Sequence, residues 1–187
     1  QIRRELNIPQ DHRVLVSICR LAKEKNLDEV LDHLAESRPE RTTFVMVGDG
    51  PYRHELEQRV DRLGLRSMVR FAGFQDPARV SEYYRMGDVF LSASLSETQG
   101  LTFIEAMACG IPLLCRRDDS LDGVIVDGVT GYQYNDGAEF AQRLTQMLNE
   151  PNALAHMSRQ AARHAAERFG AEAFGAAAAV SYTHLRA

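Results

Sequence analysis

The segment Val89-Phe90-Leu91-Ser92-Ala93-Ser94-Leu95-Ser96-Glu97-Thr98-Gln99-Gly100-Leu101-Thr102-Phe103-Ile104-Glu105-Ala106-Met107-Ala108-Cys109-Gly110-Ile111-Pro112-Leu113-Leu114-Cys115 decides the fold. A short apolar strand gives way to small hydroxyl residues and a glycine. A helix is predicted from Leu101 to Cys109, stopped by Gly110, and a second apolar strand covers Ile111 to Cys115. Upstream, the same alternation recurs. Val14 to Cys19 is a nearly continuous apolar run, as a buried parallel strand requires. Leu27, Val30, Leu31 and Leu34 follow at helical spacing. Phe44 to Val47 is a further buried strand, ending at the turn Gly48-Asp49-Gly50-Pro51. Leu56, Val60 and Leu63 mark a helix that stops at Gly64, and Val69 to Phe71 is a strand followed by Gly73. Asp76 is placed to cap a helix with Pro77 in its first turn. Downstream lie a weaker strand, Tyr132 to Tyr134, and two helices, about Glu139 to Asn149 and Leu154 to Phe169. Alternating strands and helices predict an α/β fold: a Rossmann-like parallel sheet with helices on both faces. Residues 1–12 read as an incoming linker, 13–170 as one domain and 171–187 as a tail.

A length of 187 residues fits one domain, or one half of a larger enzyme. The formal net charge of −4 argues against a nucleic-acid partner, which needs a basic surface. Cys19, Cys109 and Cys115 lie in apolar runs and read as buried thiols in a reducing compartment, not a disulfide frame. No histidine stands at metal-ligand spacing from a cysteine, and no apolar run approaches the ~20 residues of a membrane-spanning helix. The polar opening Gln1-Ile2-Arg3-Arg4-Glu5 is no signal peptide, and the missing methionine reads as a fragment.

In such sheets ligands bind at the carboxyl ends of the strands, so the loops that follow strands carry the chemistry. The first loop holds Arg20 and Lys25, either two solvated charges or a seat for an anion. Gly48 and Gly50 in the second loop either let backbone approach a ligand or simply make a turn. In the quoted segment, Gly100 opens a helix whose N-terminus offers unpaired N–H groups and the positive end of a dipole. Glu97 precedes that helix, and Glu105 lies about one and a half turns inside it, ~7 Å along the axis from Gly100. An extended anionic ligand would place phosphates at the helix start and hydroxyl groups against each carboxylate.

This constellation resembles the donor-binding half of GT-B glycosyltransferases of family four. That family carries two glutamates separated by seven residues and followed by Ala-Met-Ala-x-Gly-x-Pro, matched by Glu97, Glu105 and Ala106 to Pro112. Further marks occur in order: Arg20-Leu21 with Lys25, Val47 to Pro51, Phe71-Ala72-Gly73-Phe74, and Asp127-Gly128-Val129-Thr130-Gly131. Ser94 to Thr102 is most like bacterial 1,2-diacylglycerol 3-glucosyltransferases, with Thr98-Gln99-Gly100 where most members have Gly-Phe-Gly. Asp118-Asp119-Ser120-Leu121-Asp122 departs from the usual Gly-Gly-x-x-Glu, and its acids invite a metal reading that the family does not support.

The resemblance implies a nucleotide-sugar donor such as UDP-glucose, no metal or other cofactor, and retention of anomeric configuration. It implies that Arg20, Lys25 and the N–H groups of Gly100, Leu101 and Thr102 hold the departing diphosphate, and that Glu97 meets the transferred sugar. Glu105 would take the ribose, and Gly48, Gly50, Phe71, Gly73 and Gln99 would complete the donor site. It implies an amino-terminal acceptor domain beyond this chain, without which the chain would be inactive, and a membrane lipid acceptor. The enzyme would be cytoplasmic and peripheral at the cytoplasmic face of the membrane. A family member with another acceptor, or a non-catalytic nucleotide-sugar-binding module, fits the same motifs. Ser181 to Ala187 match nothing in the family and read as a read-through scar.

Overall fold

The computed structural model describes residues 1–94 and 100–178, with side chains to residue 170. Among these, six strands form one parallel sheet: β1 (Arg13–Ile18), β2 (Thr42–Val47), β3 (Val69–Gly73), β4 (Val89–Ser92), β5 (Leu113–Arg116) and β6 (Gly131–Tyr134). Their order is β3-β2-β1-β4-β5-β6, and every pairing is parallel. The chain therefore winds outward from β1 in one direction, then restarts at β4 and winds in the other. The loops after β1 and β4 diverge at that reversal and leave a crevice at their carboxyl ends.

The helices are α1 (Ile2–Glu5), α2 (Leu27–Ser37), α3 (Arg53–Arg62), α4 (Pro77–Met86), α5 (Leu101–Ala108), α6 (Gly137–Asn149) and α7 (Pro151–Ala178). One face of the sheet buries the α2 stripe Leu27, Val30, Leu31 and Leu34 with Phe44, Leu56, Tyr134 and Phe140. The other buries Val80, Tyr84, Phe103, Met107 and Ala161 against Val16, Val45 and Phe90. Both faces are covered, as the run of buried residues along β1 and β2 requires. The predicted cap is present: the Asp76 carboxylate accepts the Ala78 N–H at 2.9 Å, with Pro77 in the first turn. A non-helical Gly170 (φ 52°, ψ −128°) interrupts α7.

Two details differ from the expectation. Residues 1–12 are docked rather than slack: Ile2 and Ile8 are buried in the second cluster, and Arg3 reaches Asp88 at 3.3 Å and the Met86 carbonyl at 3.1 Å. Of the three cysteines, Cys115 is buried, whereas Cys19 and Cys109 are half-buried.

Candidate functional site

Four side chains of the crevice between β1 and β4 are Lys25, Ser17, Ser92 and Thr102. Its base is closed by the Ser17 hydroxyl, which donates to the Leu91 carbonyl at 2.6 Å. The enclosed volume is about 10 Å³, room for roughly one water, so a ligand of nucleotide size would lie across its mouth. Lys25 closes a short 3-10 turn, Lys23–Lys25, directly before α2. Thr102 stands in the first turn of α5. A lysine and a helix N-terminus thus share one opening, which is an arrangement suited to an anion. Gly100 starts α5 in the left-handed region (φ 61°), and its carbonyl accepts the N–H groups of Phe103 and Ile104.

Arg20 lies on the same loop, with Glu24 3.5 Å away. Arg20 is half-buried and Glu24 exposed, and a solvent-facing pair of this kind contributes little.

Gly48 and Gly50 serve the same loop from behind. A Cβ at Gly48 (φ 126°) would lie 2.0 Å from the Cys19 carbonyl oxygen, and one at Gly50 2.4 Å from that of Leu21. The space each glycine leaves is filled by the backbone that carries Arg20. Hydrogen bonds stitch the contact: Cys19 N–H to Val47, Leu21 N–H to Asp49, and Tyr52 N–H to Leu21. Gly48 N–H continues the chain of contacts to the Gly73 carbonyl. Phe71 is half-buried on β3, two strands from β1 and so about 10 Å away. The Arg53 guanidinium sits 5.8 Å from its ring centroid, a residue the sequence reading did not single out.

Glu105 is 2 % exposed, on the inner side of α5. The Tyr84 hydroxyl donates to its Oε2 at 2.9 Å. Burial, and then the neighbouring carboxylate, push that hydroxyl well above its usual range, so Tyr84 stays a donor. Tyr84 was also missed. The available signal was a tyrosine on the apolar face of α4, since a buried tyrosine needs a partner for its hydroxyl. Glu97 and Gln99 lie outside the described residues. Asp118 caps the turn Asp119–Leu121 by accepting the Ser120 N–H at 2.8 Å, which holds its carboxyl below the usual range. Among the described residues no three acids, histidines or cysteines are grouped to hold a metal ion.

The model of the family described as glycosyl transferases group 1 matches residues 1–164. This chain belongs to that family. The group 1 match takes in the docked segment 1–12 as well as the sheet. The chain is 34 % identical over 160 residues to the alpha-monoglucosyldiacylglycerol synthase of Acholeplasma laidlawii, covering 84 % of this chain and 40 % of that protein. It is 33 % identical over 195 residues to the D-inositol 3-phosphate glycosyltransferase 2 of Catenulispora acidiphila, covering 97 % and 45 %. The solved structure of Anabaena HepE in complex with UDP and glucose superposes with a TM-score of 0.81 at 26 % identity, over 90 % of this chain and 47 % of that one. The chain thus spans less than half the length of each. Its fold is the Rossmann-like unit of GT-B glycosyltransferases.

Proposed function

We propose that this chain is the donor-binding domain of a retaining glycosyltransferase that moves glucose from UDP-glucose to a diacylglycerol-type lipid. One observation carries the reading. Lys25 and the start of α5 share a crevice at the point where the strand order reverses, in a group 1 glycosyl transferase domain. Charge grows on the diphosphate as its bond to the sugar breaks, and groups placed to meet that charge lower the barrier. Lys25, Arg20 and the α5 N–H groups supply it here, so the reading requires neither a metal nor an acid to protonate the leaving group. Glu105, held at one oxygen by Tyr84, is assigned to the ribose, and Glu97 to the glucose.

The lipid acceptor is favoured by the likeness to a relative named as a monoglucosyldiacylglycerol synthase. We place acceptor recognition in an amino-terminal domain, for which the length of the relatives leaves room, and the intact enzyme at the cytoplasmic face of a membrane. A second reading, a family member with a soluble acceptor, is favoured by almost equal identity to an inositol-phosphate glycosyltransferase.

A thermal-shift panel of UDP, GDP, ADP and UDP-glucose tests the donor half. A ligand at a hundredfold excess over its dissociation constant stabilises the fold by about 2.7 kcal/mol. If none raises the melting temperature at millimolar concentration, the donor reading fails. Transfer assays with the chain joined to an amino-terminal domain, offering diacylglycerol or inositol phosphate, then separate the two acceptors.

A further inference from the structure

Glu29 stands in the first turn of α2, and its carboxylate is 16 % exposed. Its Oε2 accepts from the Asn26 side-chain amide at 2.8 Å and from the Arg116 guanidinium. Its Oε1 accepts from the Tyr134 hydroxyl at 3.2 Å, with His33 Nε2 3.6 Å away. Three donors from three places in the chain thus converge on one carboxylate. Arg116 ends β5 and Tyr134 ends β6, both beyond β4 as seen from β1. Asn26 belongs to the first loop and directly follows Lys25, in a left-handed conformation (φ 50°, ψ 36°). Glu29 therefore ties the loop that carries Lys25 to the ends of β5 and β6, on the opposite half of the sheet.

Packing does not call for this. Leu27, Val30, Leu31 and Leu34 already seat α2. The pair that Glu29 makes with Arg116, whose side chain is 40 % exposed, adds little stability, because solvent screens the attraction on one side and desolvation of Glu29 offsets it on the other. What it does provide is direction. Charge-assisted bonds hold Asn26, and Asn26 sets the course of the backbone that presents Lys25. Burial also keeps the Tyr134 hydroxyl protonated, so that donor persists at every physiological pH.

We propose that Glu29 is a positioning residue that holds Lys25 against the donor diphosphate. The inference rests on the donor-site reading above. A structural role alone would weaken every ligand alike, whereas a positioning role acts on the diphosphate and through Lys25. The test is calorimetric titration of the chain with UDP and with UMP, for wild type, Glu29→Ala, Lys25→Ala and the double variant. Glu29→Ala should weaken UDP about tenfold and UMP less than about threefold, and in the Lys25→Ala background it should cost almost nothing further. Additive losses for the two substitutions, or equal losses for UDP and UMP, overturn the proposal. Should Glu29→Ala not fold, Tyr134→Phe removes one donor and keeps the ring. It should weaken UDP about threefold, and that effect should vanish when Lys25 is alanine; a loss that persists there overturns the proposal. A wild-type chain that binds neither nucleotide overturns the donor reading itself, a result distinct from binding whose losses are additive.

Discussion

Replacing Gly48 by alanine should cost the domain about 2–5 kcal/mol, by two separate effects. The first is the backbone. Gly48 has φ 126°, where a side chain costs roughly 1–2 kcal/mol. The second is space. The new Cβ would stand 2.0 Å from the Cys19 carbonyl oxygen and 3.0 Å from its carbon. Both are main-chain atoms, so no rotamer relieves the overlap; overpacking of this kind costs about 1–3 kcal/mol. For a domain of this size each kcal/mol lowers the melting temperature by about 2–4 °C. The control is Gly64→Ala. Gly64 also has positive φ (66°), but its nearest neighbour is the flexible Arg38 guanidinium at 3.8 Å. That change should cost only the backbone contribution, about 1–2 kcal/mol. Urea denaturation of both variants, with unchanged m-values, measures the difference directly. The Gly48 variant should also bind UDP more weakly where it remains folded, because the displaced Cys19 carbonyl carries Arg20 with it. A Gly48→Ala midpoint equal to that of Gly64→Ala would refute the argument that the second loop exists to seat the first.

In a full-length protein, Glu97→Gln should leave UDP affinity nearly unchanged and cut transfer, while Glu105→Ala should weaken UDP through the ribose; UDP titration and transfer kinetics decide, and equal UDP losses would reject the assignment. Tyr84→Phe should destabilise the chain by about 1–3 kcal/mol, since it removes a donor from a buried carboxylate. A urea midpoint within error of wild type would contradict it. Partial burial raises the Cys109 thiol, so at pH 8 it carries less thiolate than an ordinary cysteine and should react with iodoacetamide more slowly than glutathione does; labelling as fast as glutathione would count against that shielding.

How far the sequence carried this reading depends on how far apart the interacting residues lie. Strand–helix alternation is a local pattern, and the elements predicted from it occur close to their expected bounds. Strand order is not local: that β4 pairs with β1 rather than β3 follows from where the chain crosses, which no periodicity records. β6 was the weakest strand to read because its polar Gln133 is buried; the Gln133 side chain accepts the Asp118 N–H at 3.1 Å, a partner fifteen residues away. The site divides in the same way. Arg20 and Lys25 could be put on the first loop because they fall just past a strand end, but position alone left both two solvated charges and a seat for an anion open. Gly48 and Gly50 were legible only as places where a side chain is unwelcome; that the nearby atoms belong to Cys19 and Leu21 needed coordinates. Glu29 was invisible, since in sequence it is one more acid on the polar face of a helix. Its partners Arg116 and Tyr134 lie 87 and 105 residues away, and only the reversal of strand order brings them to the end of α2. The same reversal that opens the crevice therefore also supplies the residues that brace its lysine, and a substitution on β5 or β6 should be felt at a loop that follows β1.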